Sequence, residues 1–427
     1  MSTVTEVGGS AAAPAGPVAR SSVARVGSAT AVTALCGYAV IYLAARNLAP
    51  AGFSVFGVFW GAFGLVTGAA NGLLQETTRE VRSMGYIDAL SHGSQAPRSH
   101  PLRIAGLVGL ASAAVIAASS PVWSGRVFVE GRWLSVALLS IGLAGFCLHA
   151  TLLGMLAGTS RWTQYGALMV TDAVIRVAVA TATFVLGWGL VGFLWATVAG
   201  SMAWLIMLLT SPAARAAARL LTPASTTTFL RGAAHSITAA GASAILVMGF
   251  PVLLKLTSTQ LGAQGGVVIL AVTLTRAPLL VPLTAMQGNL IAHFVDERTH
   301  RVRALITPAL IIALIGAIGV VLAAALGPWV LRVGFGAQYQ ASSSLLAWLT
   351  AAAVAIAMLT LTGAGAVAAA LHRAYSLGWV GATVAAGLLL LLPLALETRT
   401  VIALLCGPLV GIGVHLAALS RATAAGG

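Results

Sequence analysis

From Phe53 to Leu74 the chain runs through FSVFGVFWGAFGLVTGAANGLL without one charged residue. At about 1.5 Å per residue, a helix of that length crosses a ~30 Å hydrocarbon layer. Similar apolar runs recur, punctuated by Gly, Pro and Arg, at about 25–46, 53–75, 102–121, 134–157, 163–187, 190–211, 235–256, 266–292, 304–326, 343–364, 375–394 and 400–420. Lipid offers backbone N–H and C=O groups no partner, so spans of this kind must be helical. The expected fold is an all-α integral membrane protein of about twelve transmembrane helices. Charged residues make up 7% of the chain, against about 25% in soluble domains.

What charge remains is lopsided. The net charge is +14, almost all of it arginine, with Lys255 as the single lysine. In a soluble chain this would suggest nucleic acid; here arginine-rich cytoplasmic loops and anionic lipid headgroups account for it, and no nucleic-acid partner is expected. Cys36, Cys147 and Cys406 lie inside apolar runs and read as packing residues. No Cys/His cluster has zinc spacing and no P-loop is present, so neither metal, cofactor nor ATPase domain is expected. Paired carboxylates on a large extramembrane segment are also missing, which argues against an enzyme such as a membrane glycosyltransferase.

Residues 1–21, rich in Ala, Gly, Pro and Ser, read as a disordered cytoplasmic tail without signal-peptide order. With the N-terminus inside, roughly fifteen Lys and Arg residues fall in cytoplasmic segments and six outside, placing both termini in the cytoplasm of a bacterial inner membrane. A basic linker, 212–233, separates an N-lobe (22–211, spans one to six) from a C-lobe (234–427, spans seven to twelve). Motifs recur between them: Leu156 to Tyr165 closes span four much as Ala370 to Tyr375 closes span ten. Six spans separate the copies, so the two pseudo-symmetric lobes should enclose a central cavity about an axis along the membrane normal.

Intramembrane polar residues mark the candidate site. Asn71, Gln75 and Arg79 fall four apart on one helical face, with Glu76 beside them. Asp172 and Arg176, four apart in span five, form either an internal salt bridge or a cavity-facing pair in which Asp172 couples an ion and Arg176 binds phosphate. Arg276 has no acidic residue within a helical turn and is expected to face the cavity. Pro278 should kink span eight beside it, as suits a gate. Gln287 and Asn289 could hydrogen-bond sugar hydroxyls or simply join helices. Lys255 reads as a snorkelling residue, and His149 and His415 as satisfied bundle histidines.

The turn ARNLAPAGFSVFGVFW (45–60) with a helix closing on Arg79, the junction LLGMLAGTSRWTQYGALMVTDAVIRVAVA (152–180), AVTLTRAPLLVPLTAMQGNL (271–290) and LRVGFGAQYQASSSLLAWLTAA (331–352) together resemble the Wzx-like lipid-linked oligosaccharide flippases. That family shares a superfamily with the multidrug MATE exporters. The resemblance implies a twelve-helix, two-lobed bundle carrying polyprenyl-diphosphate-linked glycans to the outer leaflet, with Arg79, Arg176 and Arg276 at positions matching a cationic cavity. It also implies membrane lipids, and glycosyltransferases or a polysaccharide polymerase, as partners. One departure is plain: Ala244 to Leu253 in span seven lacks the aspartate that family members often carry. Two other functions compete with this one. A MATE-type cation-coupled exporter would need cavity acids, and a non-transporting scaffold for glycosyltransferases would tolerate loss of the arginines.

Overall fold

The computed structural model describes residues 20–90, 99–296 and 301–424. The expected tail lies outside them, apart from its last residues, where helix begins. A continuous helical assignment covers Arg20–Leu90, interrupted at Ala49 (φ 53°, ψ 169°) ahead of Pro50. Its two ends meet the same place. Arg25 donates to Thr163 at 3.1 Å, and the Arg82 guanidinium lies 5.9 Å above the neighbouring Trp162 ring. A straight helix would set Arg25 and Arg82 about 85 Å apart, so the chain doubles back at Ala49. The halves are α1 (20–48) and α2 (50–90). Pro50 needs no N–H partner at a helix start, which is why the turn falls there.

The remaining long helices are α3 (Pro101–Val127), α4 (Arg132–Gly158), α5 (Trp162–Leu186), α6 (Gly189–Thr210, through a 3-10 turn at Gly200–Met202), α7 (Thr226–Val247 and Phe250–Leu256), α8 (Gly262–Asp296), α9 (Ile306–Val330), α10 (Ser343–Ala368), α11 (His372–Leu389) and α12 (Leu396–Ala424). With the first hairpin counted as two, this is the twelve-helix, two-lobed architecture expected. Residues 212–233 hold a short helix at Pro212–Ala218, an isolated bridge from Thr222 to Ser99, and the first turns of α7. The α8 helix runs on through Pro278 and Pro282. A sharp bend, 67°, lies in α7, at Met248 and Gly249 just ahead of Pro251.

The internal repeat is visible atom by atom at two corners. After α4, Ser160 takes φ 56°, with Ser160 N–H donating to Ala157 and Arg161 N–H to Leu156. After α10, Ala370 takes φ 59°, with Ala370 N–H donating to Val367 and Leu371 N–H to Ala366. Both are Schellman closures carrying a non-glycine residue in the left-handed region. Tyr165 and Tyr375 follow each corner by five residues. This register pairs Arg161 with Leu371. Ala370→Gly should therefore stabilise the fold by about 0.5–1 kcal/mol, read as a raised thermal unfolding midpoint in detergent.

The lobes meet along α2. Gly57, Gly61, Gly64, Gly68 and Gly72 form one ridge; a Cβ at Gly57 would lie 2.7 Å from Ile269 of α8, and one at Gly68 2.7 Å from Ala244 of α7. At the end bearing the α1–α2 turn, a second contact crosses the lobes. Tyr339, buried in the α9–α10 loop, donates its hydroxyl to the Ala45 carbonyl at 3.0 Å and packs edge-on against Phe53. Burial pushes the Tyr339 phenol well above its usual range, so it stays a donor. Here α8 is buried without interruption from Gly265 to Val272; past Arg276 it turns one face outward, at Pro278, Pro282 and Met286, while Leu279, Leu280 and Leu283 stay buried.

Candidate functional site

The three arginines singled out in the sequence stand in three separate partner sets. Among the described residues no hydrogen bond or ion pair joins one set to another. Arg79, with a side chain 62% exposed, sits between Glu76 and Glu80 at 2.6 Å from each. Both glutamates are buried, and Glu76 lies under Gly232 at the start of α7, where a Cβ would strike its carboxylate. Arg79 is thus engaged by two buried carboxylates of its own helix. Gln75 is exposed and Asn71 half-buried on the face beside the glycine ridge. The side chains of Gln287 and Asn289 lie outside the described ones.

Arg176 lies within the N-lobe and takes the salt-bridge arrangement with Asp172. Its Nε lies 3.1 Å from both carboxylate oxygens and its Nη2 2.9 Å from Oδ1. Nη1 donates to the Thr197 carbonyl at 2.5 Å, one turn before α6 tightens into its 3-10 segment. The guanidinium also stands 5.4 Å over the Phe63 ring. Gly200 makes room for the pair, since a Cβ there would lie 2.2 Å from Asp172 Oδ1.

Arg276 is built the same way in the C-lobe, without the acid. It is 8% exposed, and its Nη1 donates to the Val247 carbonyl at 3.1 Å, where α7 breaks before Gly249. Its guanidinium lies 5.3 Å from the Phe250 ring. Nη2 is buried and has no hydrogen-bond partner among the described residues. A broken helix leaves carbonyls without intrahelical donors, and arginine supplies them. Cavity exposure is not what the structure shows for Arg276: its side chain is buried at the joint between α7 and α8.

The histidines are as the sequence suggests in one case. His415 meets Thr362 Oγ1 at 3.1 Å and the Tyr375 carbonyl at 3.2 Å. His149 stacks on Phe146, its Nδ1 unpartnered. Lys255, expected to snorkel, is instead 8% exposed and borders a cavity of about 820 Å³ between the lobes, beside the α1–α2 turn. No periodicity argument could find it. Its neighbours come from α2, the end of α3 and the α7–α8 loop.

Solved structures share this arrangement. An inward-facing multidrug resistance MATE family transporter of the MOP superfamily superposes with TM-score 0.71 at 16% identity, over 91% of this chain and 95% of that one. An outward-facing MATE family transporter gives 0.64 at 17% identity, over 94% and 96%. A MOP superfamily transporter from Pyrococcus furiosus, described by the reverse polarity of its binding pocket, gives 0.60 at 14%, over 94% and 96%. The fold is thus that of the MATE transporters of the MOP superfamily. No protein-family model matches the chain. The chain is 80% identical over 424 residues to the uncharacterized protein Rv3630 of Mycobacterium tuberculosis, covering 98% of each. It is 70% identical over 418 residues to Rv1510 of the same organism, covering 98% of this chain and 96% of that. It belongs to one family with these mycobacterial proteins.

Proposed function

We propose that this chain is a transporter that moves a polyprenyl-diphosphate-linked oligosaccharide across a bacterial cytoplasmic membrane by alternating access of its two lobes. The observation that carries this reading is Arg276. A guanidinium buried in the bundle without a carboxylate leaves its Nη2 unpartnered among the described residues, and an uncompensated buried charge is costly. The cheapest partner to arrive is an oxyanion, which arginine binds with forked donors. A diphosphate cannot cross hydrocarbon alone, and such a partner would let it pass.

The acids support the same choice. Asp172 is engaged by Arg176, and Glu76 and Glu80 by Arg79. A cation exporter would need an unpaired carboxylate within the spans, and among the described residues each of these three is ion-paired. The contact of Tyr339 with Ala45 joins the lobes at the α1–α2 turn. Of the two MATE structures compared, the inward-facing one superposes better.

Vesicles containing the intact chain test the reading. A fluorescent polyprenyl-diphosphate oligosaccharide should become accessible to an external quencher far faster than in empty vesicles, while an organic cation should not be driven out by a pH gradient. Cation efflux without flipping would move the exporter reading ahead.

A further inference from the structure

The cavity beside Lys255 takes no part in the arginine clusters. It has a wall from each lobe: Gly52 and Val55 from α2 with Arg126 and Glu130 at the end of α3 on one side, and the α7–α8 loop on the other. Arg126 and Glu130 are exposed, so the cavity communicates with the surface at this end. Its volume, about 820 Å³, lies within the range of small-molecule sites.

Lys255 is more than nine-tenths buried there. Its Nζ donates to the Thr259 carbonyl at 3.4 Å, a long contact, which leaves an ammonium with three donors poorly satisfied. The loop behind it is fixed. Arg399 of α12 donates to the Thr257 carbonyl at 3.0 Å, to the Leu390 carbonyl at 3.2 Å, and to Ser258 Oγ at 2.6 Å. Thr257, Thr259 and Gln260 add short polar groups to the lining, and Val55 and Val129 an apolar patch. The charges sum to one excess positive, placed at the buried end of the cavity.

We propose that this cavity binds an oxyanion borne on a sugar, phosphoryl or carboxyl, with the Lys255 ammonium as its charged contact and the α7–α8 loop as its hydroxyl-facing wall. Short hydroxyl and amide groups suit sugar hydroxyls, apolar side chains suit a pyranose face, and a half-satisfied ammonium suits an anion. The proposal leans on the transport reading only for which molecule delivers the oxyanion. In that reading the site stands at the exit side and receives the headgroup after it passes Arg276.

Because Lys255 is the single lysine, an amine-reactive acylating reagent followed by peptide mass spectrometry reads this one side chain in the full-length protein. Saturating inorganic pyrophosphate should slow its acylation by about tenfold or more if the phosphoryl form is right; glucuronate should do so if the carboxyl form is. Glucose, and sodium chloride at matched ionic strength, should not. Lys255→Arg should keep binding of the protecting anion, measured by calorimetry, and Lys255→Gln should lose it. An acylation rate that no anion changes, or that sodium chloride changes equally, overturns the proposal. So does Lys255→Gln binding as tightly as the intact chain. Acylation needs no transport, so failure here leaves flipping standing, and absence of flipping leaves this site readable.

Discussion

Gly72→Leu is expected to leave the chain inserted in the membrane but with a thermal midpoint far below that of the intact protein. A Cβ at Gly72 would sit 2.3 Å from the Ile237 nitrogen and 2.5 Å from its Cα. These are backbone atoms of a neighbouring helix and cannot swing aside as a side chain would. Overpacking a well-filled contact typically costs about 1–3 kcal/mol, and a backbone clash that pries α2 from α7 belongs at or above the top of that range. Flipping should stop with it, because the glycine ridge is the surface on which the lobes meet. Gly37→Ala, in α1, is the matched control. Nothing lies within 4 Å of a Cβ there, and the helix should gain up to about 1 kcal/mol from alanine. Equal losses at Gly37 and Gly72 would remove close helix approach as the explanation.

Asp172→Asn should be nearly as damaging. The substitution strands Arg176, whose side chain is 14% exposed, with the Thr197 carbonyl and the Phe63 face as its remaining partners. Breaking one half of a buried pair costs on the order of 3 kcal/mol or more, since the surviving charge is left uncompensated. Removing both charges, Asp172→Asn with Arg176→Gln, should recover most of the loss. That non-additivity, read from the unfolding midpoints of the four proteins, is the signature of a coupled pair. The same four separate the two roles weighed for the pair. If it only holds α5 against α6, the double variant flips like the intact chain; if Asp172 couples an ion, the double variant folds and does not flip.

Much of the architecture is legible in the sequence because its signals are local. Pro50 and Gly52 between two apolar runs mark the hairpin. The run from Leu156 to Tyr165 and its echo at Ala370 to Tyr375 mark a repeat whose exact register only the backbone reveals, through the left-handed Ser160 and Ala370. The arginine environments were not legible. Arg276 bonds a carbonyl where α7 breaks and Arg176 one a turn before α6 tightens, and carbonyls leave no trace in residue identity. Span seven breaks at Gly249, two residues ahead of Pro251, while the more conspicuous Pro278 and Pro282 sit in continuous helix. The sequence placed Glu76 beside Arg79 on the helix but did not single out Glu80, the second carboxylate that engages it. Lys255 is hidden for another reason: a lysine near a span end usually reaches for water, and only the loop folded over it keeps it inside.

The central claim is that Arg276 offers its Nη2 to the diphosphate of a lipid-linked glycan. The direct measurement is the flipping rate of a fluorescent polyprenyl-diphosphate oligosaccharide in vesicles holding equal amounts of intact chain, Arg276→Lys or Arg276→Ala, each checked for insertion and a monodisperse profile. Hydrogen bonds to charged groups contribute about 1.5–3 kcal/mol, so the alanine variant should flip about ten- to a hundredfold more slowly, with the lysine variant between the two. An alanine variant that inserts normally and flips at the intact rate would contradict the claim.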